Sequence, residues 1–185
     1  MKTITRIEVQ KRNPKRVSIY LNGKYAFGLS RIVSAWLKVG QKFSEAEISE
    51  LRTEDDREIV YQKALNYLNY RIRTESELRR YLRKHSVTEE NINILIERLK
   101  ENNLIDDEEF ARQWVDNRIE FRPRSSKAIA FELRQKGIDY DVIQNVLQDV
   151  NDDQMAYLAG QRKAKQIGGL NKNDFQQKLY SYLSR

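Results

Sequence analysis

Residues 70–82 read YRIRTESELRRYL and residues 121–133 read FRPRSSKAIAFEL. Each stretch opens on an aromatic residue, runs through Arg-x-Arg to a hydroxyl residue, and closes on Leu. Arg71 to Arg122, Arg73 to Arg124, Thr74 to Ser125 and Leu82 to Leu133 all differ by 51 positions. The register extends outward without a gap: Asp55 aligns with Asp106, Glu58 with Glu109, Ile59 with Phe110, and Ile92, Leu95 and Ile96 with Ile143, Val146 and Leu147. A third copy begins at NDDQMAYLAGQR and resumes in DFQQKLYSYL after a loop containing Gly168-Gly169. A period near 50 residues confines the chain to a repeat architecture, in which each unit completes its core with its neighbours.

The units read as helices. Ile59, Val60, Ala64, Leu65 and Leu68 recur at helical spacing, then Leu78, Tyr81 and Leu82, then Ile92, Leu95, Ile96 and Leu99. Thr74-x-x-Glu77 has the form of a capping box at the second helix. Asp55, Asp106 and Asn151 stand as N-caps of the first helix in each copy, with Glu58, Glu109 and Gln154 three positions on. Helices of about a dozen residues are marginal alone and need packing. The third copy stops at Arg185 before its third helix, so it is either a cap or, the reading we favour, part of a longer chain cut short.

The first 54 residues differ. RIEVQ and RVSIYLNGKYAFGL alternate apolar and polar residues, and Asn22-Gly23 has the chemistry of a two-residue hairpin turn. Strands are expected near 4–10, 16–21 and 24–28, with an earlier turn at Asn13-Pro14. Short helices should follow Ser30 and Ser44, the second starting on the capping box Ser44-x-x-Glu47. The expected fold is mainly α: tandem three-helix repeats forming an elongated curved array, with a small N-terminal subdomain containing a β-hairpin. The boundaries are a basic hairpin-bearing region over 1–54, repeats over 55–105 and 106–150, and an incomplete repeat over 151–185.

Composition narrows the function. With no cysteine and the single histidine His85, the chain has no thiolate, no disulfide and no His-based acid–base design. His85 reads as a charge partner for a helix C-terminus. Magnesium on Asp106-Asp107 is the weaker reading of that pair, because no glycine-rich phosphate loop accompanies it. No enzyme, cofactor or metal site is therefore expected. No apolar run is long enough to cross a bilayer and no secretory pattern opens the chain, so a soluble cytoplasmic protein is expected.

The net charge is +7, with an isoelectric point near 9.5. The charge alternates with the repeat: residues 61–85 hold 7 basic and 2 acidic side chains, whereas 86–110 hold 2 and 8. Such a chain favours a polyanionic partner. The candidate contact residues are Arg71, Arg73, Arg79, Arg80, Arg83 and Lys84 in the first unit, and Arg122, Arg124, Lys127, Arg134 and Lys136 in the second. A solvated basic face explains single residues as well. Recurrence at a fixed period is what favours a long, repetitive target. Lys11, Arg12, Lys15 and Arg16 form a second basic cluster around the expected N-terminal turn. Stacking on aromatic residues has weak support, since Tyr67 and Tyr81 fall on helix stripes.

RIRTESELRRYLRKHSV, followed by ILIERLKENNLIDDEEFARQWV and ELRQKGIDYDVIQNVL, resembles the RecX family of regulatory proteins. Leu104 to Ala111 is the most specific part, and the hairpin-bearing region is similar to an extension found in some Gram-positive members. The resemblance implies tandem three-helix repeats and a protein that binds the RecA recombinase, especially its filament on single-stranded DNA. It implies a modulator, usually an inhibitor, of strand exchange, ATP hydrolysis and LexA cleavage, lying along the filament groove; a monomer is expected. It transfers no catalytic residues. The alternative is a sequence-nonspecific DNA-binding repeat protein that acts without RecA.

Overall fold

The computed structural model describes residues 1–184 and divides into two compact units, residues 1–70 and the chain from Arg71 onward.

The first unit is a four-stranded antiparallel sheet backed by a helix. The strands are β1 (Lys2–Gln10), β2 (Asn13–Leu21), β3 (Lys24–Ser30) and β4 (Lys42–Phe43), in the order β3-β2-β1-β4. Asn22 and Gly23 both take positive φ, 50° and 82°, and form the expected hairpin turn between β2 and β3. The earlier turn falls at Lys11-Arg12; Asn13 already pairs with Gln10, so Asn13-Pro14 belongs to the strand. The segment after Ser30 is a run of turns and not a helix. Its amides alternate between partners, Ser34 N–H to the Ser30 carbonyl and Leu37 N–H to the Ser34 carbonyl, so no continuous ladder forms. Val33 and Leu37 from this segment join Ile4, Ile19 and Leu29 in the core.

Helix α1 (Glu45–Leu68) starts on the predicted box, with Glu47 N–H donating to Ser44 Oγ and Ser44 N–H to Glu47 Oε2. It then runs for 24 residues without a break. The expected start of a helix at Asp55 is therefore corrected: with no Gly or Pro between Glu45 and Leu68, nothing interrupts the ladder. Asp55 is buried mid-helix, where it accepts hydrogen bonds from the Ser30 amide (2.6 Å) and from Arg16 (2.7 Å). A residue read as a cap is instead a tie between helix and sheet.

Among the described residues the regular elements of the second unit are all helices: α2 (Glu75–Lys84), α3 (Glu89–Glu101), α4 (Asp107–Phe121), α5 (Ser126–Gln135), α6 (Tyr140–Leu147), α7 (Asp152–Ile167) and α8 (Lys172–Leu183). Each of these helices has an oxygen-bearing N-cap that accepts an amide from its first turn: Thr74, Thr88, Asp106, Ser125, Asp139, Asn151 and Asn171. Leu78 and Leu82 of α2 and Ile92, Ile96 and Leu99 of α3 are fully buried. Phe110, Val115, Ile129, Leu133 and Ile143 form one core across α4, α5 and α6. The repeat extends to backbone detail. Ser86 and Gly137, 51 positions apart, both take left-handed φ (59° and 80°) just beyond α2 and α5. Val87 N–H and Ile138 N–H then reach back to the Leu82 and Leu133 carbonyls, a shared C-terminal cap.

A second regularity joins successive pieces of chain. The Glu75 amide donates to Asp107 (2.8 Å), and the Ser126 amide donates to Asp152 (2.6 Å). Asp107 and Asp152 each open the first helix of the following unit, as Asp55 ties back the Ser30 amide. Asp107 and Asp152 thus latch the first residue of the helix two elements back, α2 and α5. Burial pushes the Asp107 carboxyl upward, and the Glu75 amide opposes that shift. No helix among the described residues is long and apolar enough to cross a membrane.

Candidate nucleic-acid and partner interface

The cations predicted to meet a polyanion divide into two groups. In the first unit, carboxylates claim at least three of the six. Arg71 pairs with Glu77 (2.9 Å), Arg79 with Glu75 (2.6 Å), and Arg83 grips Glu89 through two nitrogens. Glu75 also takes Lys100 of α3 (2.7 Å), and Glu77 takes Lys136 from the far end of α5 (3.0 Å). Burial raises both glutamates, but Lys100 and Arg79 on Glu75, and Arg71 and Lys136 on Glu77, outweigh it and hold both below the ordinary carboxylate range. Arg73 is half-buried and not free.

These pairs serve the junction between repeats. Thr74, fully buried, caps α2 with its hydroxyl oxygen and donates the hydroxyl proton to the Lys136 carbonyl (2.8 Å). Gly137 follows, and a Cβ there would clash with Ser76. Lys136 itself lies against the Trp114 ring, 5.2 Å from its centroid. Thr74, Glu77 and Lys136 together fasten the start of α2 to the end of α5.

The other group, Arg124 apart, has no carboxylate partner among the described residues. Arg80 and Lys84 are exposed one turn apart on α2, and Lys127 and Arg134 are exposed on α5 on either side of the exposed Phe131. Arg134 makes only a long contact to the Ala130 carbonyl (3.4 Å). Arg122 is exposed in the α4–α5 linker, while Arg124 stands 3.5 Å from Glu132, which is already occupied by Arg118 and the Trp114 indole.

Arg122 and Arg124 line a groove of about 650 Å³ between that linker, α7 and α8. Arg162 and Lys163 face them across it, with Phe121 and Tyr182 as aromatic walls. Asp152 is the acidic lining residue, and Ser126 occupies both of its oxygens. Arg162 donates to the Glu120 carbonyl, and Lys163 lies 5.4 Å from the Tyr182 ring centroid. The sequence did not single out Arg162, Lys163 or Tyr182, because the third copy departs from the 51-residue offset and its phrase is not spelled Arg-x-Arg. His85 caps α2, its Nδ1 against the Tyr81 carbonyl and its ring against the Tyr81 ring. No cluster of metal-ligating side chains occurs among the described residues.

Comparison with known proteins agrees with this architecture. Residues 2–44 match a model of the regulatory protein RecX N-terminal domain, 61–99 the RecX first three-helix domain, and 106–147 the second. The regulatory protein RecX of Bacillus velezensis is 32% identical over 94% of this chain and 65% of its own length. That of Oceanobacillus iheyensis is 31% identical, covering 97% of this chain and 68% of its own. A crystal structure of regulatory protein RecX superposes with a TM-score of 0.79 at 30% identity, over 100% of this chain and 93% of that one. RecX from Lactobacillus salivarius gives 0.59 at 27% identity over 71% of this chain. The chain spans between 57% and 65% of the length of its Bacillus relatives. It belongs to the RecX family of regulatory proteins.

Proposed function

We propose that this RecX-family chain binds the RecA recombinase and its filament on single-stranded DNA in the cytoplasm, as a monomer, and damps strand exchange, ATP hydrolysis and co-protease activity. It acts by occupancy and not by catalysis. The supporting observation is the division of the cations: carboxylates hold Arg71, Arg79, Arg83 and Lys136 in the framework, while Arg80, Lys84, Arg122, Lys127 and Arg134 stay exposed without them. The exposed set supplies the contacts, and the paired set holds the helices that present them. Exposed cations left without partners repel one another and gain by meeting a polyanion.

The test is charge reversal in the full chain. Arg80→Glu with Lys84→Glu, and separately Lys127→Glu with Arg134→Glu, should each relieve inhibition of RecA ATPase and strand exchange at least about tenfold, the scale of two lost charged contacts. Arg79→Gln should act mainly on thermal stability. Unchanged inhibition by both reversed chains would remove this assignment.

The groove at Arg122, Arg124, Arg162 and Lys163 favours a second reading, direct DNA binding without RecA. Under it, log affinity for naked single strands falls against log salt by about 0.7 per phosphate contact. Affinity indifferent to salt would exclude that reading.

A further inference from the structure

We propose that the N-terminal sheet carries its own binding surface for single-stranded nucleic acid, separate from the helical cations and independent of the reading given for them. Residues 1–44 contain ten basic side chains and one acidic one, Glu8. Three of the cations are spoken for: Lys2 pairs with Glu45, Arg6 with Glu8, and Arg16 with Asp55. No carboxylate pairs with Lys11, Arg12, Lys15 or Arg31 among the described residues, and all four are exposed. Strand pairing puts them at one end of the sheet. Lys11 and Arg12 form the β1–β2 turn, and the Lys15 carbonyl accepts the Arg31 amide at 2.9 Å. Four like charges gathered on a rigid hairpin end, with the nearby acid Asp55 consumed by Arg16 and the Ser30 amide, are arranged for a multivalent anion.

The sheet face leading away from that end supplies the second half of the site. The inner face, with Val17, Ile19 and Leu29, is buried under Ile48 and Leu51 of α1. The outer face has no such cover. Arg6, Tyr20 and Tyr25 stand in register across three strands. Arg6 lies 3.9 Å over the Tyr20 ring, and the Tyr20 and Tyr25 rings meet edge to face at 5.9 Å. Tyr25 is 60% exposed on the edge strand. The next row is Glu8, Ser18 and Gly28, where the Gln10 amide, bonded to Ser18, fills the space over the glycine.

Flat aromatic faces backed by a cation accept bases from a strand whose bases are free to turn outward. Duplex DNA hides those faces. An acidic peptide would gain little from the rings, and the Arg6, Tyr20 and Tyr25 row offers a membrane no aliphatic side chain. The surface therefore fits an unpaired strand whose phosphates follow Lys11, Arg12 and Lys15 while a base stacks on Tyr25.

Fluorescence anisotropy of the full chain with labelled oligothymidylate, over a salt series, tests this. Changing Lys11, Arg12 and Lys15 to Gln should lower the slope of log affinity against log salt by about 2, three phosphates at 0.7 each. Tyr25→Ala should weaken binding about 5- to 100-fold and erase most of the preference over duplex of the same length. Lys84→Glu with Lys127→Glu on the helices should leave both effects of the N-terminal changes in place. If the Gln set keeps the wild-type slope, if Tyr25→Ala is silent, or if polyglutamate of equal charge displaces the strand completely, the assignment is overturned, whatever becomes of the helical cations.

Discussion

In the first Arg-x-Arg phrase Arg71 closes onto Glu77, and Arg83 onto Glu89; in the second, Arg122 and Arg134 meet no carboxylate. The cause lies in their neighbours. Counting 51 positions on from Glu75, Glu77 and Glu89 gives Ser126, Ala128 and Tyr140. Arg71 and Arg83 recur as Arg122 and Arg134 while their acids do not, and at Glu75 neither the acid nor its partner Arg79 recurs, since Ala130 stands there. One backbone plan therefore carries two electrostatic outcomes at these two positions, paired in the first copy and open in the second. A repeated cation shows where a charge sits; only the acids around it show whether that charge is available.

The sharpest way to break this comparison is at the helix ends. Ser86 and Gly137 share one left-handed backbone, but a Cβ at 137 would meet Ser76. Gly137→Ala should cost about 2 kcal/mol or more, combining the left-handed penalty with the clash. Ser86→Gly should instead raise stability by about 0.5–1 kcal/mol. Thermal or urea melts of the pair decide it, and equal effects at the two sites would mean that the junction does not distinguish the copies.

A smaller contrast is expected at the N-caps. Thr74 is fully buried and bonded on both sides, to the Glu77 amide and the Lys136 carbonyl, whereas Ser125 is exposed and receives only the Ala128 amide. Thr74→Ala should cost about 2 kcal/mol, and Ser125→Ala about 1 kcal/mol or less. Denaturant midpoints at a fixed m-value would show the difference.

The smallest change in stability should accompany the most direct test of the idea. Ala128→Glu restores to the second copy the carboxylate that Glu77 provides in the first. It should shift stability by less than about 0.5 kcal/mol, as exposed pairs do. It should nevertheless draw in Arg122 and lower the salt slope of polyanion binding by about 0.7, one contact. An unaltered slope would show that Arg122 does not touch the polymer.

Much of this was legible in the residues. Capping oxygens, the 51-residue offset and Asn22-Gly23 are local signals, and each helix start from Thr74 onward follows its cap. What escaped depends on partners far along the chain. Glu77 and Lys136 are 59 positions apart, and Thr74 and Lys136 are 62 apart, so no window of sequence joins them. Asp55 misled for a related reason: its spelling matches Asp106, but α1 is already under way when it arrives, and the side chain turns to the sheet. The groove beside Arg122 was hidden because α7 and α8 bring Lys163 and Tyr182 from a copy whose spacing has drifted.

The aspartates that hold the Ser30, Glu75 and Ser126 amides all point the same way along the chain, each later segment gripping an earlier one. A duplicated stretch inserted between two units would bring its own gripping acid and offer its own amide to the next. Lineages could thus lengthen or shorten such a protein by whole units without rewriting this acid–amide joint, and its reach along a polymer becomes a quantity that gene duplication can tune.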